Sequence, residues 1–572
     1  LALSLLLLPL LMQGQEILVP LQQAARTPHA PKAQQEVKLP FFDDFSDYEG
    51  APNPSLWATQ QAFVNRDYAP LPPTLGMATL DVLDATGALH ATATSAPFGA
   101  DTLCSLPLRL DSIFTPTRRR TTPADSLRLS FFYLPGGGTG PLWERIGEAP
   151  DEADSLILEF YDPAEDSWQM VWATPGISAD SLIAHTGHAW QQVSLPVSDP
   201  RYLVRGFRFR FRNLASLEDN PKAGLVGNTD QWNLDYIYLD HSRRTADRTY
   251  RDVAFVEKAP TMLRRYQAMP WRQFSEEDMA ERVEIVITNL YAQPLTTQYQ
   301  YTLYGPTGDP LGHYDGGHEN APAFLPNETY QTAAAHARPQ VNFAYSPSGP
   351  TTYTVEHILT EGVSGDNHRQ NDTMRLTQVF SDYYAYDDGV PENGYGISTA
   401  GNIACLFPLR VEDTLTAIDL YFNQTRNDEN LAARFYLAVW RCEGGRPGAL
   451  LLRDPLLRRP EVEGLNHFHR YRLEEPIMLD DSVFIGLIQQ GATYLNLGFD
   501  RSNDLRDRTY YKTSNSWQTS VLSGALMLRP RFGQSGTVGI QPVEPQVEGP
   551  TEYYDLLGRR IAQPKRPGIY LK

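Results

Sequence analysis

Apolar and polar residues alternate with a period of two along much of this chain. Leu127, Leu129, Phe131 and Tyr133 take every second position, and Phe207, Phe209 and Phe211 interleave with Arg208, Arg210 and Arg212. A strand turns successive side chains to opposite faces, so the phenylalanines are expected in a core and the arginines in water. The pattern recurs at Val283, Ile285 and Ile287, at Tyr299, Tyr301 and Leu303, along Thr352 to Ile358, at Phe435, Leu437 and Val439, and at Val483, Ile485 and Leu487. No run keeps a 3.6-residue period, and Ser275 to Arg282 reads equally as a helical turn or a connection. The expected class is all-β.

The alternating runs fall into three stretches. Residues 39–245 open at Leu39-Pro40-Phe41-Phe42-Asp43-Asp44-Phe45 and close at Trp232-Asn233-Leu234-Asp235-Tyr236-Ile237-Tyr238-Leu239. Residues 250–378 have the size and paired strands of an immunoglobulin-like sandwich. Residues 379–533 open at Tyr386-Asp387-Asp388-Gly389 and close at Gly524 to Pro530. Outside them, Leu1 to Met12 is almost wholly apolar, too short for a membrane span and suited to a secretory signal over 1–14 with a truncated start. Residues 15–38 read as a polar spacer, 534–550 as a Gly, Pro, Gln and Glu linker, and 551–572 as a terminal hairpin.

Composition narrows the function. A net charge of −19 disfavours nucleic acid, which needs a concentrated basic surface. Beyond the signal no run is long and apolar enough to span a membrane, so the mature chain is expected to be soluble or held at a surface. The 44 prolines and 41 glycines suit many short strands joined by turns. Cys104, Cys405 and Cys442 make no framework and no C-x-x-C; Cys405 and Cys442 could pair if their strands adjoin, or lie buried as small hydrophobes. There is no G-x-S-x-G, H-E-x-x-H or P-loop, and Gly136 to Gly140 lacks the Lys that grips phosphate. Catalytic carboxylates that meet only in space remain open among 68 acids.

Three resemblances add to this reading. Tyr553-Tyr554-Asp555-Leu556-Leu557-Gly558-Arg559-Arg560, followed by Gly568-Ile569-Tyr570, resembles the C-terminal sorting domain of type IX secretion cargo in the Bacteroidetes. It implies delivery to the cell surface or the medium, with the type IX machinery as partner and Tyr554, Asp555, Gly558, Arg559, Arg560, Gly568, Ile569 and Tyr570 as the recognised residues. The opening Asp-Asp-Phe, Trp57 and the closing Trp-x-x-Asp resemble MAM-like jelly-roll modules of extracellular proteins over about 39–242, and a second jelly roll is expected at 379–533. That family implies a calcium ion held by acids of the first and last strands, here Asp43 or Asp44 with Asp235; the alternative is that Asp43 and Asp44 make turns and Asp235 caps a backbone N–H. Asp387 and Asp388 invite the same thought. Finally, Asp followed by Ser or Thr and an apolar residue resembles the Bacteroidetes O-glycosylation motif, with Thr102, Ser112, Ser126, Ser155, Ser181, Thr373, Thr414 and Ser482 as acceptors; Asp-Ser is equally a turn before a strand.

The expected function is therefore a non-catalytic surface protein of tandem β-sandwiches that binds a glycan or protein, or spaces one. The competing class is a secreted hydrolase of polysaccharide or peptide. A deep cleft holding two displaced carboxylates would favour the hydrolase, and a shallow aromatic platform would favour binding.

Overall fold

The computed structural model describes residues 16–19, 36–138, 146–217, 229–323, 339–361, 368–423, 430–533, 553–554 and 560–561. The chain divides into two compact units, Leu1–Gly533 and Gln534–Lys572. The described part is nearly all β, with a single α-helix, Ala179–Thr186, between Ser178 as N-cap and Gly187 in a left-handed C-cap. Ser275 to Arg282 holds only a 3₁₀ turn, Glu276–Asp278.

The first stretch is a sandwich of two antiparallel sheets. One runs Gln191–Pro196, Arg128–Pro135, Trp232–Asp240, Met77–Leu80 and Phe63–Asn65, with Phe41–Asp43 also paired to Trp232–Asp240. The other runs Ser167–Pro175, Ser155–Asp162, Phe209–Ala215 and Phe98–Cys104. The period-2 residues meet between them: the Phe131 ring lies 4.7 Å from Phe211, and Phe41 lies 5.1 Å from Phe209. Edge-to-face pairs of this kind add ~0.5–1.5 kcal/mol each to the area they bury.

The middle stretch builds one five-stranded sheet, ordered Ala268–Pro270, Thr373–Ser381, Thr351–Glu361, Leu295–Tyr304 and Pro310–Ala321, beside a ribbon of Val253–Phe255 and Ile287–Asn289. The last stretch sets a six-stranded sheet, with Gly401–Phe407, Phe435–Glu443 and Val483–Gln489 at its centre, beside a three-stranded sheet of His469–Leu479, Asp413–Leu420 and Leu528–Phe532. One apolar core continues from Val253 to Phe532 through both stretches. Tyr266 of the middle stretch stacks on Tyr386 at 5.2 Å, and Tyr386 stacks on Phe407 at 5.1 Å.

One expectation changes. Glu16–Val19, expected within a polar spacer, is a strand antiparallel to Asn393–Ile397. The buried Glu16 carboxylate accepts from the Tyr395 hydroxyl at 2.5 Å and the Val521 N–H at 3.1 Å, so a lone acid anchors a strand that has no sequence period of its own. All three cysteines are free thiols. Cys405 and Cys442 belong to strands on opposite sides of Val483–Gln489 and pack into different apolar clusters.

In the terminal unit Tyr553–Tyr554 pairs antiparallel with Arg560–Ile561. This places Tyr554 opposite Arg560; Asp555, Gly558, Arg559, Gly568, Ile569 and Tyr570 lie outside the described residues, as do the expected signal residues 1–14.

Candidate functional site

The acid pair that opens the first sandwich splits in two directions. Asp43 turns toward Trp57 and Tyr48, accepting from the indole Nε1 and the phenol, each at 2.6 Å, while its Oδ1 accepts the Phe45 N–H at 3.0 Å. Burial pushes its carboxyl up to about 7. Asp44 accepts from the Ser46 N–H and hydroxyl, and its other oxygen accepts from the Asn371 amide at 3.0 Å. Burial raises Asp44 to about 6. Asp235 accepts from the Thr74 N–H at 2.8 Å, the Thr74 hydroxyl and the Tyr236 N–H; burial and the charge of Asp44 raise its pKa. Asp44 and Asp235 are thus brought together, Asp43 faces away from them, and all three make the turn and cap bonds of short acids.

Sequence reasoning missed the rest of this cluster. The Asn371 amide also lies 3.3 Å from both Asp252 oxygens, and Asp252 accepts the Tyr236 hydroxyl at 2.6 Å. Asp252 and Asn371 come from the middle stretch, so no local spacing could have found them. Asp44 and Asp235 take only neutral donors, and Asn371 Oδ1 is buried without a hydrogen-bond partner. Every carboxylate oxygen of Asp44 and Asp235 already accepts from one of these donors, so hydrogen bonds alone account for both acids.

The matching acids of the last stretch are already neutralised. Asp387 is bound by Arg529 at 2.5 Å. Asp388 and Asp67 share Lys258, at 3.0 Å and 2.5 Å. Beside them Glu392 and Asp500 are wholly buried; burial and the charge of Asp500 raise the pKa of Glu392, and burial and the charge of Asp388 raise that of Asp500.

The most exposed chemistry lies on the outer face of the four-stranded sheet. Register places Glu159 opposite Arg210 and Ile157 opposite Arg212. A bulge at Leu158/Glu159 then brings Met170 opposite Glu159 and Trp168 opposite Tyr161. Glu159 accepts from Arg210 Nε at 2.6 Å and Arg212 Nη2 at 3.1 Å; burial opposes its ionisation, but the two guanidinium groups outweigh burial and hold its carboxyl below the usual range. Arg208 lies 4.0 Å over the Tyr161 ring and Arg210 4.2 Å over Trp168, cation–π distances that fix the guanidinium planes. Among the described residues no carboxylate forms an ion pair with Arg208, and Met170 is 66% exposed. The interleaved arginines were legible in sequence; Tyr161 and Trp168 carried only the weak signal of aromatics at strand positions.

A second concave feature is an open cleft of about 410 Å³ between Thr261, Arg264 and Arg265 and the segment Ser502 to Asp507. Its acids are each paired, Asp504 with Arg506 and Asp507 with Arg265. The strongly displaced carboxylates of Asp43, Asp44, Asp235, Glu392 and Asp500 lie in the interior and none lines this cleft.

The expected glycosylation acceptors divide by position. Ser112, Ser155 and Thr373 begin strands, Thr414 is the second residue of one, Ser482 immediately precedes one and Ser126 stands two residues ahead of one. Thr102 lies within a strand and Ser181 on the helix. Ser126 and Ser181 are exposed, whereas Ser112 is 5% exposed, with its hydroxyl donated to Asp111.

No protein-family model and no curated protein matches the chain. Among solved structures it is similar to a β-glucuronidase from Bacteroides uniformis, at 12% identity over 54% of this chain and 30% of that one, with a TM-score of 0.18. A β-galacturonidase from Eisenbergiella tayi bound to galacturonate aligns at 11% identity over 62% and 45%, with a TM-score of 0.19. The N-terminal CBM22-1–CBM22-2 tandem domain of Paenibacillus barcinonensis Xyn10C aligns at 7% identity over 88% and 100%, with a TM-score of 0.20. The chain spans under half the length of the two glycosidases, and at these scores the likenesses assign nothing to it. Among the described residues no helix is long and apolar enough to cross a membrane.

Proposed function

We propose that this chain is an exported, non-catalytic β-sandwich protein that binds an acidic glycan on the outer face of its first sandwich. One observation carries the reading. In a chain of net charge −19, Arg208, Arg210 and Arg212 form a row on one face, two of them stacked on Tyr161 and Trp168, and Arg208 has no carboxylate partner among the described residues. A sugar carboxylate accepts a guanidinium fork, and the apolar side of a pyranose suits the exposed Met170 and the adjoining ring edges. Hydrolysis is the weaker reading, because the displaced carboxylates are interior and the open cleft holds only paired acids.

The test is affinity electrophoresis of the full chain in gels containing polygalacturonate or a neutral polysaccharide. Retardation is expected only with the polyuronate. A charge-assisted bond is worth ~1.5–3 kcal/mol, so Arg208→Gln should weaken binding by about 10- to 150-fold. Equal retardation by both polymers, or an Arg208→Gln chain that binds as wild type, would remove the reading.

Delivery to the surface belongs to the same proposal and rests on the paired strands Tyr553–Tyr554 and Arg560–Ile561. In a host with type IX export, a fluorescent protein fused to residues 534–572 should reach the surface or the medium. Retention of that fusion in the periplasm would count against it.

A further inference from the structure

A third acidic group lies apart from both the glycan face and the Asp44 cluster. Asp151 and Asp154 sit on the turn that leads into Ser155–Asp162, and Asp230 stands two residues ahead of the strand Trp232–Asp240. Each offers an oxygen, and these atoms lie within 4.8 Å of one another. Two ligands on one calcium ion stand at most about 5 Å apart, twice the ~2.5 Å Ca–O distance.

The group is held from outside. Ser216 donates its N–H to Asp230 Oδ2 at 2.7 Å and its hydroxyl to Asp154 Oδ2 at 3.0 Å, and the Asp151 N–H reaches the same Asp154 oxygen at 3.2 Å. Gly176 donates its N–H to the Asp154 carbonyl at 2.9 Å, and a Cβ at Gly176 would meet the Asp151 carbonyl oxygen at 1.8 Å, so the turn is clamped against a position that only glycine fits. Asp154 is 1% exposed, and its remaining oxygen, Oδ1, is buried with no hydrogen-bond partner. A buried carboxylate oxygen left bare costs desolvation with no return, unless a cation or a proton occupies it.

We propose that Asp151, Asp154 and Asp230 bind a calcium ion. The donors are carboxylate oxygens without histidine or cysteine, which selects a hard cation, and the exposed Asp151 leaves the outer coordination positions to water. Calcium on these oxygens ties the turn before Ser155–Asp162 to the approach of Trp232–Asp240 in the opposite sheet. This site is independent of the glycan reading and of any cation at Asp44 and Asp235.

The experiment uses the chelator-stripped full chain in calorimetric titrations with CaCl₂ and MgCl₂, with terbium luminescence as a second probe. Wild type is expected to bind calcium at least tenfold more tightly than magnesium. Asp230→Asn and Asp154→Asn should each remove one binding event, and Asp235→Asn should leave that event in place. Asp151→Asn alters an exposed side chain that carries no fold and should weaken calcium at least tenfold. The proposal is overturned if wild type takes up no calcium at millimolar concentration, if magnesium binds equally well, or if Asp151→Asn and Asp230→Asn both bind as wild type.

Discussion

Lys258 is the residue whose removal tests the electrostatic account most sharply. Its ammonium lies 2.5 Å from Asp67 and 3.0 Å from Asp388, so it holds together acids from the first and last stretches of the chain. At an effective dielectric of about 20, a unit pair at ~3 Å is worth roughly 5 kcal/mol before desolvation, and removing one partner of a buried pair costs ~3–5 kcal/mol. The Lys258 side chain is 26% exposed, which places Lys258→Met at the low end, about 3 kcal/mol. The sign with pH follows from Asp67, which burial raises to about 6 despite Lys258. A carboxyl raised above its unfolded value gives stability at low pH that is lost as pH rises through its folded pKa. Without Lys258 that pKa climbs further, so the deficit of Lys258→Met should be full at pH 8 and smaller near pH 4.5, where the Asp67 share is gone. Urea unfolding at both pH values, with Asp388→Asn and the double variant completing a cycle, measures this; a coupling of at least ~1 kcal/mol is expected for groups in contact. A deficit below about 1 kcal/mol at pH 8, or one equal at both pH values, would refute the reasoning.

Further outcomes are expected. Asp43 and Asp44, raised by burial to about 7 and about 6, should make the chelator-treated chain more stable at pH 5 than at pH 8, and a melting temperature that rises with pH over this range would contradict it. Thiol labelling of the native chain should modify Cys442 first, because Cys405 and Cys104 are buried and burial pushes their pKa values up to about 12 and about 11; full labelling of Cys405 without denaturant would contradict this. Gly486→Ala should destabilise the last stretch by more than the ~1 kcal/mol typical of single substitutions, since a Cβ there would meet the Ile403 carbonyl oxygen at 1.9 Å; unchanged urea unfolding would refute that contact.

What was readable in the sequence was what a single strand encodes. Phe207, Phe209 and Phe211 pack inward and Arg208, Arg210 and Arg212 outward because a two-residue period leaves no other arrangement once one face is buried. Six of the eight Asp-Ser and Asp-Thr pairs stand at or just before strand starts for a similarly local reason. The sites were less legible because their members lie far apart in the chain. Asp44 meets Asn371, Asp67 meets Lys258, and Asp154 meets Asp230, across separations for which neither period nor spacing carries a signal. The Leu158/Glu159 bulge adds a further obstacle, since it decides which residues of Ser167–Pro175 share the face with Tyr161.

The shared core of the middle and last stretches has a mechanical consequence. Tyr266 rests on Tyr386, which rests on Phe407, so a pull along the chain meets no slack between about residues 378 and 379, where three sequence patterns would place a joint. Load entering at Tyr383 would pass to the Leu528–Phe532 strand through the Tyr383–Arg531 bridge before the middle sheet could come away. Under a pull on the chain, the middle and last stretches would therefore share the load through one core.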